Sequence, residues 1–226
     1  MGLTYESIGS IWKRTFPNCM EPEMPNSVAI SRTAGRPREF EVETALDAAI
    51  TVFTERGYHG TSITDLKAAM GLTAGSIYKA FKDKKAIFLA AFDRYKQVRA
   101  ALLAEKLAQA TTGREQVQAI LHFYAEAACG ETGRRGCLAI GAAVELALFD
   151  ADVAERVARG HAVTLTQIEG FLAHGQADGS VARGIDIPTT ALAIFAFLQG
   201  IRIAGKSGQQ PGRTLAAADA LLTLLD

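Results

Sequence analysis

Apolar side chains recur every three or four residues along most of the chain, which places them on one face of an α-helix. The first of these stripes follows Pro37 and ends at Gly57, a residue type that commonly terminates helices. Its members are Val42, Leu46, Ala49, Ile50 and Phe53. No segment shows a convincing alternation of period two, the pattern of a β-strand. The sequence therefore predicts an all-α protein of about nine helices.

Capping residues and glycines set the predicted ends of the other helices. Thr61 or Ser62 begins the second helix, which ends at Gly71. Thr73 begins the third helix and Asp83 the fourth. The third helix is predicted over residues 74–81 and the fourth over residues 84–110. Five later helices are predicted over residues 115–129, 137–149, 153–175 and 188–205, and from Thr214 to residue 225.

Two of these helices are short and meet at Gly71, which permits a left-handed turn between them. Apolar side chains on both sides of the turn lock the pair at a steep angle. They are Leu66, Met70, Leu72 and Ile77. The other side of the second helix is small and polar, with Thr73, Ala74, Gly75, Ser76 and Lys79. Such a surface lets the backbone approach base edges in a major groove, and the first amides can receive a phosphate. The pattern indicates a helix-turn-helix, and a helical hairpin with a solvated basic side is the alternative.

The 24 basic and 24 acidic residues cancel overall but are unevenly distributed. Residues 32–99 hold 12 basic and 8 acidic side chains, whereas residues 100–226 hold 10 and 13. A basic N-terminal portion favours nucleic acid as a partner, because phosphates need cations opposite them. The cations nearest the two short helices are Lys79, Lys82, Lys84 and Lys85.

Residues 36–92 resemble the DNA-binding domain of the tetracycline-repressor (TetR/AcrR) family of bacterial transcription regulators, and the run 71–84 is the most specific part. The resemblance implies a homodimer with three N-terminal helices on a double-stranded DNA operator. It also implies six or so C-terminal helices that form an effector pocket and the dimer interface. The corresponding division of this chain is a poorly ordered extension, 1–34, a helix-turn-helix DNA-binding domain, 35–83, and a ligand-binding and dimerisation domain, 84–226.

The resemblance also implies roles for individual residues. Thr61 and Ser62 resemble the family's phosphate contacts, and the stretch from Thr73 through Ala74 and Gly75 to Ser76 resembles its base-reading residues. Its backbone contacts correspond to Tyr78, Lys82 and Lys84. The sequence departs from the family at Lys67, where alanine is usual at the crowded helix crossing, so we expect the lysine stem to bend outward and the inter-helix angle to differ slightly.

The tetrapeptide that ends at Arg38 is cationic and is predicted to be extended. Such an arm fits a narrow minor groove, where Arg36 and Arg38 would meet a concentrated negative potential. A solvated linker is the alternative interpretation.

Cys137 follows two arginines, Arg134 and Arg135, at a predicted helix start, where a thiolate is stabilised and becomes more nucleophilic. The surrounding pattern is similar to a subgroup of the family in which some members respond to electrophiles or oxidants. The alternative is a packing role, since most thiols of this kind are buried and inert. A disulfide between Cys137 and Cys129 is not expected.

Other motifs predict no catalytic site, metal or cofactor. The spacing of His122, His161 and His174 matches no metal motif. Residues 200–207 match the phosphate-loop expression, but no strand precedes them and no helix continues after Lys206. The longest apolar stretch, residues 191–198, is far shorter than the roughly 18 residues that cross a bilayer, so a cytoplasmic protein without a membrane partner is predicted.

Together these observations predict a non-enzymatic, ligand-responsive repressor that a small-molecule effector of unknown identity releases from a palindromic operator. The homodimer would form through the last two helices, with Leu192, Phe195, Phe197, Leu222 and Leu225 as candidate contacts. Electrophile or oxidant sensing through Cys137 is the alternative. An enzyme built on Cys137 and a helical adaptor that does not bind DNA are the rival classes.

Overall fold

The computed structural model describes the backbone of residues 37–226 and the side chains from residue 42 onward, except that of Ala74. The predicted extension 1–34 and Arg36 lie outside the described residues. The described part contains α-helices and two short 3₁₀ turns, Gly205–Ser207 and Leu222–Leu225, which confirms the all-α prediction. The helices are α1 (Pro37–Arg56), α2 (Ile63–Met70), α3 (Ala74–Ala80), α4 (Lys84–Leu107), α5 (Gly113–Ala127), α6 (Gly130–Arg135), α7 (Leu138–Glu145), α8 (Ala151–Asp178), α9 (Ile187–Ala204) and α10 (Pro211–Leu221).

The predicted caps of the short helices are confirmed. Ser62 and Asp65 form a reciprocal capping box at the start of α2. Gly71 ends α2 with a φ of 65°, a left-handed conformation that glycine adopts without strain. The Thr73 side chain accepts a hydrogen bond from the amide of Ser76, and Asp83 does the same for Ala86 at the start of α4.

Several predicted boundaries were wrong. Arg38 is not in an extended arm, because α1 already begins at Pro37 and proline is well tolerated at a first helical position. The glycine-rich segment before Cys137 forms the short helix α6, which the sequence pattern did not predict. Helix α7 ends at Glu145 rather than at residue 149, and α10 begins at Pro211, three residues before the predicted cap Thr214.

The buried apolar side chains form two clusters. The first combines α1, α2, α3 and the first half of α4 with α7 and the start of α8, for example Phe53, Phe88 and Leu138. The second combines the end of α4 with α5, the rest of α8, α9 and α10. Helices α4 and α8 belong to both clusters, so they connect the N-terminal helices mechanically to the C-terminal ones.

Helix α9 is the most apolar long helix. The stretch Ile187–Ser207 is long and apolar enough, by length and composition, to cross a membrane, but a helix that packs in a protein core passes the same test. One face of α9 packs into the second cluster through Ala191, Ile194 and Leu198, each fully buried. Leu192 and Ile203, on other faces, are more than half exposed.

Candidate nucleic-acid interface

Helix α3 presents a small polar surface to solvent. Its Ile77 is fully buried against the first cluster, which fixes the orientation of the helix. The opposite side chains are exposed, as predicted, at Thr73, Ser76, Tyr78 and Lys79, and Gly75 adds no side chain. Ala74 lies between them in the first turn.

The first turn of α3 is held by its two hydroxyl residues. Thr73 Oγ1 lies 3.2 Å from the amide nitrogen of Ser76 and 3.0 Å from its Oγ. These contacts fix both hydroxyls at the exposed end of the helix. A hydroxyl can donate or accept, so this pair can interact with either kind of group on a base edge.

Two further predicted contacts flank α3 on the surface. Ser62 is exposed at the start of α2, where its hydroxyl lies 2.6 Å from Asp65 Oδ2. Lys82 is exposed directly after α3. Lys67 is partly buried at the helix crossing, and its carbonyl accepts the amide of Gly71, so α2 still ends normally despite the bulky side chain.

Thr61 and Lys84 occupy a different position from the one their predicted roles require. The Thr61 side chain is buried and donates its hydroxyl to the carbonyl of Gly57 at 2.7 Å. The ammonium group of Lys84 donates to the carbonyls of Tyr58 and Thr61, each at 2.9 Å, and lies 4.2 Å from the centre of the Tyr58 ring. In this conformation both residues stabilise the connection between α1 and α2.

Glu145 of α7 belongs to the sequence pattern around Cys137, but the sequence did not predict its contact with the N-terminal helices. Its carboxylate accepts the backbone amides of Tyr58 at 3.0 Å and His59 at 2.7 Å. The contact joins the C-terminal helices to the connection between α1 and α2, more than 80 residues away along the chain. No local pattern could reveal it, because spacing predicts contacts only within one helix.

Cys137 is half-buried at the start of α7, and its Sγ lies 3.2 Å from the hydroxyl of Tyr95. Burial raises the pKa of this thiol, but the guanidinium groups of Arg202 and Arg99, together with hydrogen bonds from the Tyr95 hydroxyl and the Ile140 amide, outweigh burial, so the pKa lies below its ordinary value. The sequence assigned this effect to the wrong cations. Arg135 instead forms ion pairs with Glu55 and Glu131.

Cys129 and His122 both make contacts that stabilise the fold. Cys129 and Cys137 form no disulfide in the described part of the chain, and Cys129 Sγ lies 2.8 Å from the carbonyl of Glu126. His122 lies 2.6 Å from Asp219. The described residues contain no group of three or more histidine, cysteine or acidic side chains that could hold a metal ion.

Comparison with known proteins agrees with this geometry. The family model described as bacterial regulatory proteins, tetR family, matches residues 45–91, and the model of the tetracycline repressor-like C-terminal domain matches residues 113–221. The chain is 29% identical to the HTH-type transcriptional repressor ComR of Escherichia coli K12, over 86% of this chain and 93% of that one. It is 30% identical to the regulator YezE of Bacillus subtilis 168, over 71% and 82%.

A solved structure of a relative contains DNA. It is a cysteine mutant of the TetR-family regulator CifR in complex with 26-bp operator DNA, 28% identical to this chain, with a TM-score of 0.74 over 85% of this chain and 100% of that one. The fold and the exposed recognition surface thus define a helix-turn-helix regulator of transcription. The chain belongs to the TetR family.

Proposed function

We propose that this protein is a homodimeric repressor that a small-molecule effector releases from a palindromic operator. The observation that carries the proposal is the exposed face of α3, which is small, polar and capped, opposite the buried Ile77. Residues 35–83 would form the DNA-binding domain, and residues 84–226 would bind the effector and the second protomer.

In this proposal α3 enters the major groove. Thr73, Ala74, Gly75 and Ser76 read base edges, because their small side chains permit close approach. The flanking residues Ser62, Tyr78, Lys79 and Lys82 contact the phosphate backbone, and Arg36 contacts the minor groove. Two such helices related by a dimer axis require half-sites separated by about 34–36 Å or somewhat more.

The dimer would form through α9 and α10. Leu192, Ile203 and Leu224 are about half exposed on the last helices and the turn that follows them, so they are available to a second copy. Leu225 is excluded from this role because it is already buried in its own protomer's core. A closed two-fold pair is the most common way to bury such a surface.

The link between effector and DNA would run through α4 and α7. Helix α4 belongs to both apolar clusters, and Glu145 of α7 binds the connection between α1 and α2. A shift of either helix would therefore change the spacing of the two recognition helices. A coupling of about 1–3 kcal/mol changes operator affinity about 5 to 150-fold.

DNA binding is tested by titrating the purified protein with its upstream DNA at several salt concentrations. A binder that neutralises Z phosphates shows a log–log slope near −0.9Z. We expect Lys82→Ala to weaken binding to all sequences and to reduce the slope by about one. A folded protein that ignores its upstream DNA at low salt would contradict the proposal.

Ser76→Ala separates base reading from phosphate contact. We expect it to weaken binding to the operator more than to random DNA, because a base-reading hydroxyl contributes only on the correct sequence. The two affinities are measured side by side by fluorescence anisotropy. An equal loss on both DNAs would assign Ser76 to the backbone instead.

Cys137 supports a second candidate function, release by electrophiles or oxidants. The favouring observation is its lowered pKa, which increases the thiolate fraction at neutral pH. An electrophile such as N-ethylmaleimide would then release DNA from the native protein but not from Cys137→Ser. Equal release from both proteins would leave the thiol a packing residue.

A further inference from the structure

A cavity of about 310 Å³ lies between the N-terminal and C-terminal helices. Helix α4 forms one wall with Val98 and Leu102. Helix α1 forms another wall, which is apolar at Ala48 and Ile50; its one carboxylate, Asp47, is paired with Arg94, and its other lining residues are Thr44, Thr51 and Thr54. The remaining wall comes from the segment around Gly136 and from α9. Its size is at the lower end of the range for small-molecule sites.

Arg202 of α9 lines this cavity and is almost completely buried. Its Nη2 donates to the carbonyl of Gly136 at 2.6 Å. Its Nε and Nη1 have no hydrogen-bond partner within residues 37–226. A buried guanidinium without a counter-anion is costly, because the charge loses its hydration without compensation.

A second buried arginine provides an internal comparison. Arg94 is buried to a similar degree, but its guanidinium lies 3.3 Å from the Glu43 carboxylate and 3.1 Å from that of Asp47. The buried charge of Arg94 is thus neutralised by two carboxylates. The described part of the chain places no carboxylate within ion-pair distance of Arg202.

The surroundings of Arg202 add further groups that suit an anion. The Arg99 guanidinium also lines the cavity and lies 4.2 Å from the Phe123 ring centre, which fixes its plane. Tyr95 also lines the cavity; its hydroxyl lies 3.2 Å from Cys137 Sγ, and its pKa is raised, chiefly by burial, so the hydroxyl stays protonated. Two arginines, Arg202 and Arg99, thus line the same cavity as the apolar side chains of α1 and α4.

We propose that this cavity binds a small organic anion with an apolar body, and that Arg202 and Arg99 hold its carboxylate while the apolar side chains of α1 and α4 hold the rest. The pairing would supply the counter-charge that Arg202 lacks. Arginine suits this task because its planar fork can donate two parallel hydrogen bonds to one carboxylate.

The position of the cavity deepens the proposed function and rests on it. A ligand there contacts α1, which carries the DNA-binding helices, and α9, which would form the dimer interface. Its binding energy would therefore depend on how the two parts of the protein are arranged. This differential affinity is what an effector needs to shift the population of the DNA-binding state.

The test compares acids with their uncharged amides on the full-length protein. The probes are octanoate with octanamide and 1-naphthoate with 1-naphthamide, measured by thermal shift and by calorimetry. We expect at least one acid to raise Tm and to bind about tenfold or more tightly than its amide, since a buried charge-assisted pair discriminates by at least this factor. If no acid binds better than its amide, the inference is overturned.

Variants then test whether Arg202 provides the positive charge that binds the acid. Arg202→Gln should abolish the preference for the acid, whereas Arg202→Lys should retain part of it. Arg156→Gln is the matched control, because Arg156 is paired with Asp93 at 3.0 Å on the surface and does not line the cavity. An unchanged preference in Arg202→Gln, or an equal loss in Arg156→Gln, overturns the assignment. If Arg202→Gln does not fold, the comparison of acid with amide on the native protein still decides.

The Cys137 thiolate is the competing counter-anion for Arg202. If the cavity is an anion site, Cys137→Ser should bind the acid as well as or better than the native protein does. A loss of acid binding in this variant would show that the arginines serve the thiol, which overturns the inference.

Operator binding by the same ligand-free preparations is measured separately. Acid binding without DNA binding would contradict the proposed function alone. DNA binding without acid binding would contradict this inference alone.

Discussion

Single residues join the two halves of this protein, and Gly57 with Glu145 is the clearest pair. Gly57 has a φ of 73°, and a Cβ atom there would lie 2.8 Å from Oε2 of Glu145. A side chain at this position would be strained at this φ and would displace the carboxylate from the amides of Tyr58 and His59, so glycine suits the contact. The sequence marks Gly57 as a helix end, but it gives no sign of the distant carboxylate.

We expect Glu145→Gln to lower the free energy of unfolding by about 1–2 kcal/mol. The reason is that the backbone amides of Tyr58 and His59, which are partly exposed, lose a charged hydrogen-bond acceptor. Urea denaturation measures the change. Glu155→Gln is the control, since Glu155 pairs with Arg159 on the surface of α8. If the two variants are equally stable, the contact of Glu145 contributes nothing.

The lowered pKa of Cys137 gives a second prediction at this scale. Because Arg202 stabilises the thiolate, the rate of iodoacetamide labelling should rise with pH around a midpoint below that of an ordinary cysteine. Removing the cation in Arg202→Gln should move this midpoint to higher pH. Mass spectrometry of the peptide that contains Cys137 follows the reaction. An unmoved midpoint would remove Arg202 as the cause.

At the scale of elements, local signals defined most helices well. Caps at Ser62, Thr73 and Asp83 act within one turn, so the sequence could show them directly. The sequence did not predict helix α6, because glycines such as those it contains are typical of a loop between two helices. It forms here because Gly133 lets the backbone approach the Ala128 carbonyl closely, a contact that a side chain would block.

Thr112 provides a test of the local signals. Its side chain accepts the Glu115 amide and forms a capping box at the start of α5. We expect Thr112→Ala to destabilise the protein by about 1 kcal/mol, as loss of an N-cap usually does. Thermal unfolding followed by circular dichroism measures this. Thr223→Ala, at the exposed C-terminal turn, is the control and should change little.

At the scale of the whole molecule, the exposed apolar side chains of α9 decide how two copies would associate. Helix α9 has a fully buried face, yet Leu192 on another face is 57% exposed. An exposed apolar surface on a long helix is typical of an interface between protein chains. This surface supports the dimer proposed above and offers a direct test of it.

Leu192→Glu should produce a monomer and weaken operator binding, because a buried, unpaired carboxylate opposes association and a monomer binds only one half-site. Light scattering coupled to size-exclusion chromatography measures the mass. Val42→Glu, at a similarly exposed position of α1, should leave the mass unchanged. A dimer that persists in Leu192→Glu would place the interface elsewhere.

The sequence by itself determined the helical class, the caps and the small polar face of α3, because periodicity and capping act between residues a few positions apart. Only the tertiary structure brought Glu145 to the connection after α1, turned Thr61 and Lys84 inward, and placed Arg202 and Arg99 beside Cys137 in preference to the adjacent Arg134 and Arg135. Apart from the hydrogen bond of Thr61 to Gly57, these contacts join residues tens of positions apart, and their energies depend on burial, which packing alone decides.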